Sequence, residues 1–440
     1  MQKNIKISRQ EYSDRRRRLM DLVGNDSIII IPSADVKVRN RDADFAFRQD
    51  SDFLYLTGFN EPQSVAVLIP GLEAEFILFC REKDPQTELW TGRMAGLKGA
   101  IDDYDAEDAY PLDDIDEILP SLMENRKKVY YSIGHNTGFD LQVIAWVNSL
   151  RVKVRKGIQA PHEFILLDKY LHEMRLFKSP VEQELMRQAA KVSISAHEKA
   201  MRVCQPELME YEIDAEYLYT FRKHGMEPAY TSIVGGGENA CILHYIDNNA
   251  TLKDGDLLLI DAGAENQAYA SDITRTFPVN GTFSEAQRQL YQIVLDAQYA
   301  AIEQAQPGNN WDDPHQAAVR VIATGLIELG LLEGDLEEII KEEKYKPFYM
   351  HKTGHWLGLD VHDVGDYKLD GEWRKLEAGM VLTVEPGIYV SPDKNIDEKW
   401  WNIGIRIEDD VLITENGNEV ITGGLVKEID DIEALMQSES

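Results

Sequence analysis

The sequence predicts an α+β protein in two domains, with a smaller α/β domain preceding a larger one. Three observations lead there. The chain has 440 residues, more than a single hydrophobic core usually serves. As far as about residue 173, apolar strand candidates alternate with helical stretches. Beyond that, one pattern occurs twice: helices, then a pair of β-favouring runs with acidic side chains set among apolar ones.

In chain order, Ser27-Ile-Ile-Ile-Ile-Pro32 reads as a buried strand. Ser64–Ile69 and Glu75–Phe79, split by Pro70-Gly71, read as a hairpin. Val129–Ile133 reads as a further strand, Asp140–Leu150 as a helix, and Trp90-Thr-Gly-Arg93 as a loop. Arg15–Arg18, beside Glu11 and Asp14, reads as a solvated helix face. Ser179-Pro180-Val-Glu182 is a capping box with proline at the first helical position. Val181, Leu185, Ala189, Val192 and Ala196 follow at helical spacing. The junction therefore falls near residues 174–178, giving domains 1–175 and 176–440.

The second domain continues with a helix over Glu210–His224. Gly235-Gly-Gly237 is not followed by Gly-Lys-Ser/Thr, so it reads as a flexible turn into a strand that presents His244, not as a phosphate loop. Ser284-Glu-Ala-Gln287 opens a helix to about Gln304, and Asp313-Pro314 opens one ending near Gly330. Gly379 turns the chain into the second strand pair. The tail from Lys427 reads as a short exposed helix.

Composition narrows the function. Hydrophobic residues make up 43%, which is globular. The net charge of −31 argues against nucleic acid or an anionic membrane as partner. No apolar run reaches the length of a membrane span, and no apolar segment of a secretory signal follows Arg18. The three cysteines, Cys80, Cys204 and Cys241, form no CxxC. A reducing, cytoplasmic setting is expected.

The chemistry is concentrated in the two strand pairs. Asp256–Gly263 with Ala270–Phe277 contributes Asp261 and Asp272; Val381–Gly387 with Ile403–Asp410 contributes Glu385 and Glu408. Asp261 and Asp272 are expected opposite one another across a turn near Glu265–Ala268. Carboxylates in such apolar surroundings need a counter-charge. With His355 close by, hard oxygen ligands suit divalent ions such as Mn²⁺, and opposing pairs from two half-domains would cage two of them. His351 and His355 are four apart as in a zinc-protease helix, but no Glu follows His351, and Thr353-Gly354 fits a helix poorly.

These motifs resemble the pita-bread metallopeptidases, and within them the aminopeptidase P (Xaa-Pro aminopeptidase) family. The resemblance rests on Ile260-Asp-Ala-Gly263, Ser271–Phe277, Gly354–Asp363, Thr383-Val-Glu-Pro-Gly387 and Gly404–Asp409. N-terminally it rests on Arg48–Pro62 and Leu89–Arg93. It implies a pita-bread domain behind a domain for substrate access and oligomer contacts. It also implies a dinuclear site, usually Mn²⁺, held by Asp261, Asp272, His355, Glu385 and Glu408, with Asp272 and Glu408 bridging. His244 and His362 match histidines that hold substrate and stabilise the tetrahedral intermediate, and His351 matches one lining the proline pocket. Tyr389 and Arg406 match substrate-side residues; Trp90 matches an aromatic that reaches a neighbouring subunit's site in tetrameric members. Lys352-Thr-Gly354 departs from the family's small Gly-x-Ser segment.

The implied activity is release of the N-terminal residue from peptides with a free amine and proline second. A metal-bridging hydroxide would attack, with Glu385 as proton carrier. A homo-oligomer, tetramer or dimer, is implied too. Prolidase, a dipeptidase of the same fold, is the alternative, followed by a non-catalytic pita-bread binding protein, which usually lacks the ligands present here.

Overall fold

The computed structural model describes residues 5–438. Its described residues divide into two compact units, 6–174 and 175–438, the latter including Ile5.

The first unit is built on a six-stranded mixed sheet of Ser27–Pro32 (β1), Val65–Leu68 (β2), Phe76–Cys80 (β3), Asp108–Pro111 (β4), Lys128–Tyr130 (β5) and Glu163–Ile165 (β6), in the order β4-β3-β2-β1-β5-β6. The hairpin expected around Pro70-Gly71 is β2–β3, paired antiparallel from Val65↔Phe79 to Leu68↔Phe76. Ile28, Ile29 and Ile30 of β1 are fully buried, each removing a side chain from water at a gain of about 1.5–3 kcal/mol. The helix expected over Asp140–Leu150 is Thr137–Arg151, capped by Asn136.

Two readings in this unit are corrected. Arg15 and Arg16 are buried, not solvated: their guanidinium groups donate to Tyr55 O and Leu56 O and lie over the rings of Tyr55 and Phe76. Carbonyl acceptors and aromatic faces replace water there. Trp90 and Thr91 are not loop but the last residues of the helix Pro85–Thr91, whose Asp84 cap accepts from the Gln86 and Thr87 amides. Trp90 is 88% exposed.

The second unit contains the repeated pattern. The long helix Pro180–Val203 starts as the capping box predicts, with the Ser179 amide donating to Glu182 at 2.8 Å. It buries Leu185, Ala189, Val192, Ala196 and Ala200 along one face. Glu285–Gln304 and Asp313–Glu328 follow where expected. The tail helix Ile429–Gln437 is not wholly exposed: Ile429 and Ile432 are buried in the core.

Each strand pair is a hairpin with two successive ladders and a break between them. In the first, Leu257–Asp261 (β8) pairs with Thr274–Pro278 (β11), and Ala264–Asn266 (β9) pairs with Tyr269–Ala270 (β10), closed by Gln267 and Ala268 at positive φ. Ile233–Gly236 (β7) lies on the other side of β8. In the second, Val381–Val384 (β12) pairs with Asp409–Thr414 (β15), and Gly387–Val390 (β13) with Ile403–Arg406 (β14).

Two expectations change here. Asp261 lies opposite Thr274, not Asp272, which sits two residues ahead of β11 in the break. Gly235 and Gly236 belong to β7, and His244 lies on a turn beyond the short helical turn Gly237–Cys241, not on a strand. Among the described residues, no helix is long and apolar enough to cross a membrane.

Candidate metal centre

The breaks in the two ladders bring the acidic residues together. Asp261 ends β8 and Asp272 occupies the return segment; Glu385 follows β12 and Glu408 precedes β15. A break leaves the chain free to turn a side chain out of the sheet. Gly263 makes the first break possible, since a Cβ there would collide with the Ser271 carbonyl. Gly354 does likewise for the histidine-bearing loop, where a Cβ would strike Thr383 O. That loop lies along β12, with Thr383 N–H donating to His355 O at 2.9 Å and Glu385 N–H to Thr353 O at 2.8 Å.

His355 defines the centre. Its Nδ1 hydrogen-bonds the Trp356 carbonyl at 3.0 Å, which leaves Nε2 facing Asp272 and Glu385, each at 3.5 Å. Donor atoms of Asp272, His355 and Glu408 lie within 4.8 Å of one another. A ring fixed through Nδ1 with Nε2 aimed among carboxylates is the disposition of a metal-binding histidine. The donor set, one imidazole and four carboxylates, fits hard or borderline divalent ions.

The electrostatics show what such ions would relieve. Burial pushes Glu385 up to about 7, against the pull of His355 and Arg406. Burial raises Asp261, with Arg406 opposing, and puts Glu408 well above the usual carboxylate range, reinforced by Asp272 and Glu385. Burial would also raise Asp272, but the His355 ring facing it holds it below its usual value. His355 is driven the other way: burial would lower it, yet Asp272 and Glu385 hold it at about 9. These opposed shifts belong to carboxylates crowded around too little positive charge.

The expected substrate-side residues form a chain on one side. Arg406 Nη2 donates to Asp261 at 2.6 Å, its Nε to Thr274 Oγ1 at 3.1 Å, and its Nη1 to the Tyr389 hydroxyl at 3.0 Å. Tyr389 O–H in turn lies 2.9 Å from His351 Nε2, while His351 Nδ1 is 2.7 Å from Lys352 O. Because Arg406 can only donate, Tyr389 donates onward and His351 is neutral with its proton on Nδ1. Burial and the Arg406 charge keep it so, lowering it to about 3. The His362 ring packs edge-on to His355 with centroids 4.2 Å apart. His244 is exposed and lines an open cleft of about 510 Å³ with Glu238, Ile242 and Tyr245. Trp90 belongs to the other unit.

Sequence reasoning missed Tyr230, Thr274, Thr383 and Asp410. Tyr230 hydrogen-bonds both Asp261, at 2.6 Å, and Asp272 through one hydroxyl. Thr274 Oγ1 donates to Glu408 at 2.6 Å, and Thr383 Oγ1 contacts Glu385 at 3.3 Å and accepts from the His355 amide at 3.1 Å. Asp410 accepts from the Asp272 amide at 3.1 Å. Thr274 and Thr383 lie two positions from Asp272 and Glu385, the interval at which side chains share a strand face. Tyr230 has no such local signal.

Buried carboxylates around an imidazole, carried by two hairpins of one mixed unit, define a metal-dependent hydrolase. The model of metallopeptidase family M24 matches residues 184–415, and the chain belongs to that family. The aminopeptidase P N-terminal domain matches residues 12–130. Within M24 the chain falls in the Xaa-Pro aminopeptidase group. It is 44% identical to the Xaa-Pro aminopeptidase of Escherichia coli (strain K12) over 98% of each chain. It superposes on Pseudomonas aeruginosa aminopeptidase PepP with a TM-score of 0.97 at 56% identity, covering 98% of both chains. For zinc-substituted E. coli aminopeptidase P in complex with product, the TM-score is 0.95 at 44% identity, again over 98% of both.

Proposed function

We propose that the protein removes the N-terminal residue from peptides with proline in second position, using two divalent ions, Mn²⁺ by preference, held by Asp261, Asp272, His355, Glu385 and Glu408. The observation that carries this is His355, tied through Nδ1 and aiming Nε2 among buried carboxylates. When bound, such ions supply Lewis acidity, making a water nucleophilic near neutral pH and polarising the scissile carbonyl.

The chain's own groups do the rest. The bond before proline is a tertiary amide without N–H, so a site that ignores that hydrogen loses nothing. Glu385, 3.5 Å from His355 Nε2, takes a proton from the attacking water and delivers it to the departing proline nitrogen. That delivery matters because an amide anion is a poor leaving group. His362 and His244, at the mouth, offer N–H groups to the carbonyl oxygen as negative charge develops there. Arg406 holds Asp261 and Tyr389, and the neutral His351 beside Tyr389 walls the proline pocket.

Residues 1–175 serve substrate access and oligomer contacts, and Trp90, projecting from its helix end, reaches a neighbouring subunit in a tetramer or dimer. The acidic surface suits a cytoplasmic enzyme with no nucleic-acid or membrane partner.

The test is cleavage of Xaa-Pro-Yaa tripeptides beside Xaa-Pro dipeptides in the presence of Mn²⁺. Tripeptides should be the better substrates by kcat/KM. A strong preference for the dipeptide would reassign the chain as a prolidase, and no hydrolysis of either by metal-loaded protein would leave a binding protein.

A further inference from the structure

Segment 354–366 contains no helix or strand, yet it carries two imidazoles of the site, His355 and His362. Its anchor lies beneath it. The Asp363 side chain is 1% exposed and is gripped by Arg175 Nη2 on Oδ1 at 2.6 Å and by Lys178 Nζ on Oδ2 at 3.0 Å. Both cations are buried, and Arg175 also reaches Asp360 at 2.7 Å. Burying three charges seldom stabilises a protein more than apolar side chains of similar volume would, so stability alone does not account for this cluster.

The backbone shows what the cluster controls. The Asp363 amide donates to Trp356 O at 2.9 Å, closing the loop on itself. That same carbonyl takes the His355 Nδ1 bond at 3.0 Å and so sets the direction of Nε2. Gly358 O accepts from Ala270 N–H at 2.8 Å, two residues before Asp272. One closed loop therefore orients the imidazole facing the carboxylates and carries the imidazole at the mouth.

We propose that Asp363, clasped by Arg175 and Lys178, is a positioning residue that holds His362 and His355 in register for the reaction. The His362 half rests on the role given to His362 above; the His355 half rests on the metal centre.

The test uses Mn²⁺-loaded full-length enzyme and a Xaa-Pro-Yaa peptide, with His362→Ala, Asp363→Asn and the double variant, and Mn²⁺ titration of each. Asp363→Asn should lower kcat roughly 10- to 100-fold and weaken Mn²⁺ binding by a similar factor, with KM within about threefold of wild type. With Mn²⁺ saturating for each variant, so that weakened metal binding through His355 does not enter, the double variant should turn over no more slowly than the slower single variant, because what remains of the Asp363 effect on kcat acts through His362. Losses that multiply, or wild-type kcat and Mn²⁺ affinity in folded Asp363→Asn, overturn the proposal. If His362→Ala alone leaves kcat unchanged, the reading of His362 fails, and the Mn²⁺ affinity of Asp363→Asn decides the His355 half. If Asp363→Asn does not fold, Arg175→Met/Lys178→Met/Asp363→Leu takes its place. A folded, slow, weakly Mn²⁺-binding triple variant supports positioning; full activity and wild-type Mn²⁺ affinity overturn it.

Discussion

Adding Mn²⁺ to metal-free protein should expel protons, and the structure sets how many. A carboxyl held at about 7 is half protonated at pH 7, and an imidazole held at about 9 is almost fully protonated, so Glu385 and His355 together release about 1.5 protons on binding. Glu408, pushed well above the usual carboxylate range, adds up to about one more. The sign follows: the metal-free site holds more protons than the loaded one, so Mn²⁺ affinity rises with pH. Near pH 7 it should rise by about 1.5–2.5 log units per pH unit and flatten above about pH 10, as His355, held at about 9, becomes mostly neutral. Isothermal titration calorimetry in buffers of differing ionisation enthalpy counts these protons as the slope of observed heat against buffer heat. A slope of zero, or an affinity flat between pH 6 and 8, would refute the claim that crowding among these groups is what the ions relieve.

Glu385→Ala removes a carboxylate of the centre and the proton carrier together, and kcat should fall by at least about 10²- to 10⁴-fold; near-normal turnover in a metal-replete sample would exclude the assigned role. Arg275→Met should destabilise the second unit by about 3–5 kcal/mol, because Arg275 and Asp409 are both fully buried and 2.8 Å apart and Lys427 alone is left to balance Asp409. Urea denaturation measures this. A single-variant cost below about 1 kcal/mol would contradict the reading of that pair.

What the sequence made legible were features with a short-range cause. β-Branched and leucine runs marked the hairpins, and Ser179, Ser284 and Asp313-Pro314 marked helix starts, because caps act within one turn. The register inside the first hairpin was not legible. Asp272 lies eleven positions beyond Asp261, but an inner ladder of Ala264–Asn266 with Tyr269–Ala270 occupies part of that interval and places Thr274 opposite Asp261. Distance along the chain does not record a break in a ladder. Arg15 and Arg16 were misread because charge suggests water, whereas their acceptors are carbonyls forty residues away. The Trp90 helix could have been found from Asp84-Pro85, a cap and a first-turn proline. Tyr230, thirty-one residues before Asp261, was beyond sequence reasoning, since only the folded chain brings its hydroxyl between two carboxylates.

Anomalous diffraction from crystals grown with Mn²⁺ tests the central claim most directly. Two peaks about 3.5–4 Å apart, touching Asp261, Asp272, His355, Glu385 and Glu408 with Asp272 and Glu408 shared between them, are the expected result. A single ion, or ions bound away from those five side chains, would contradict it.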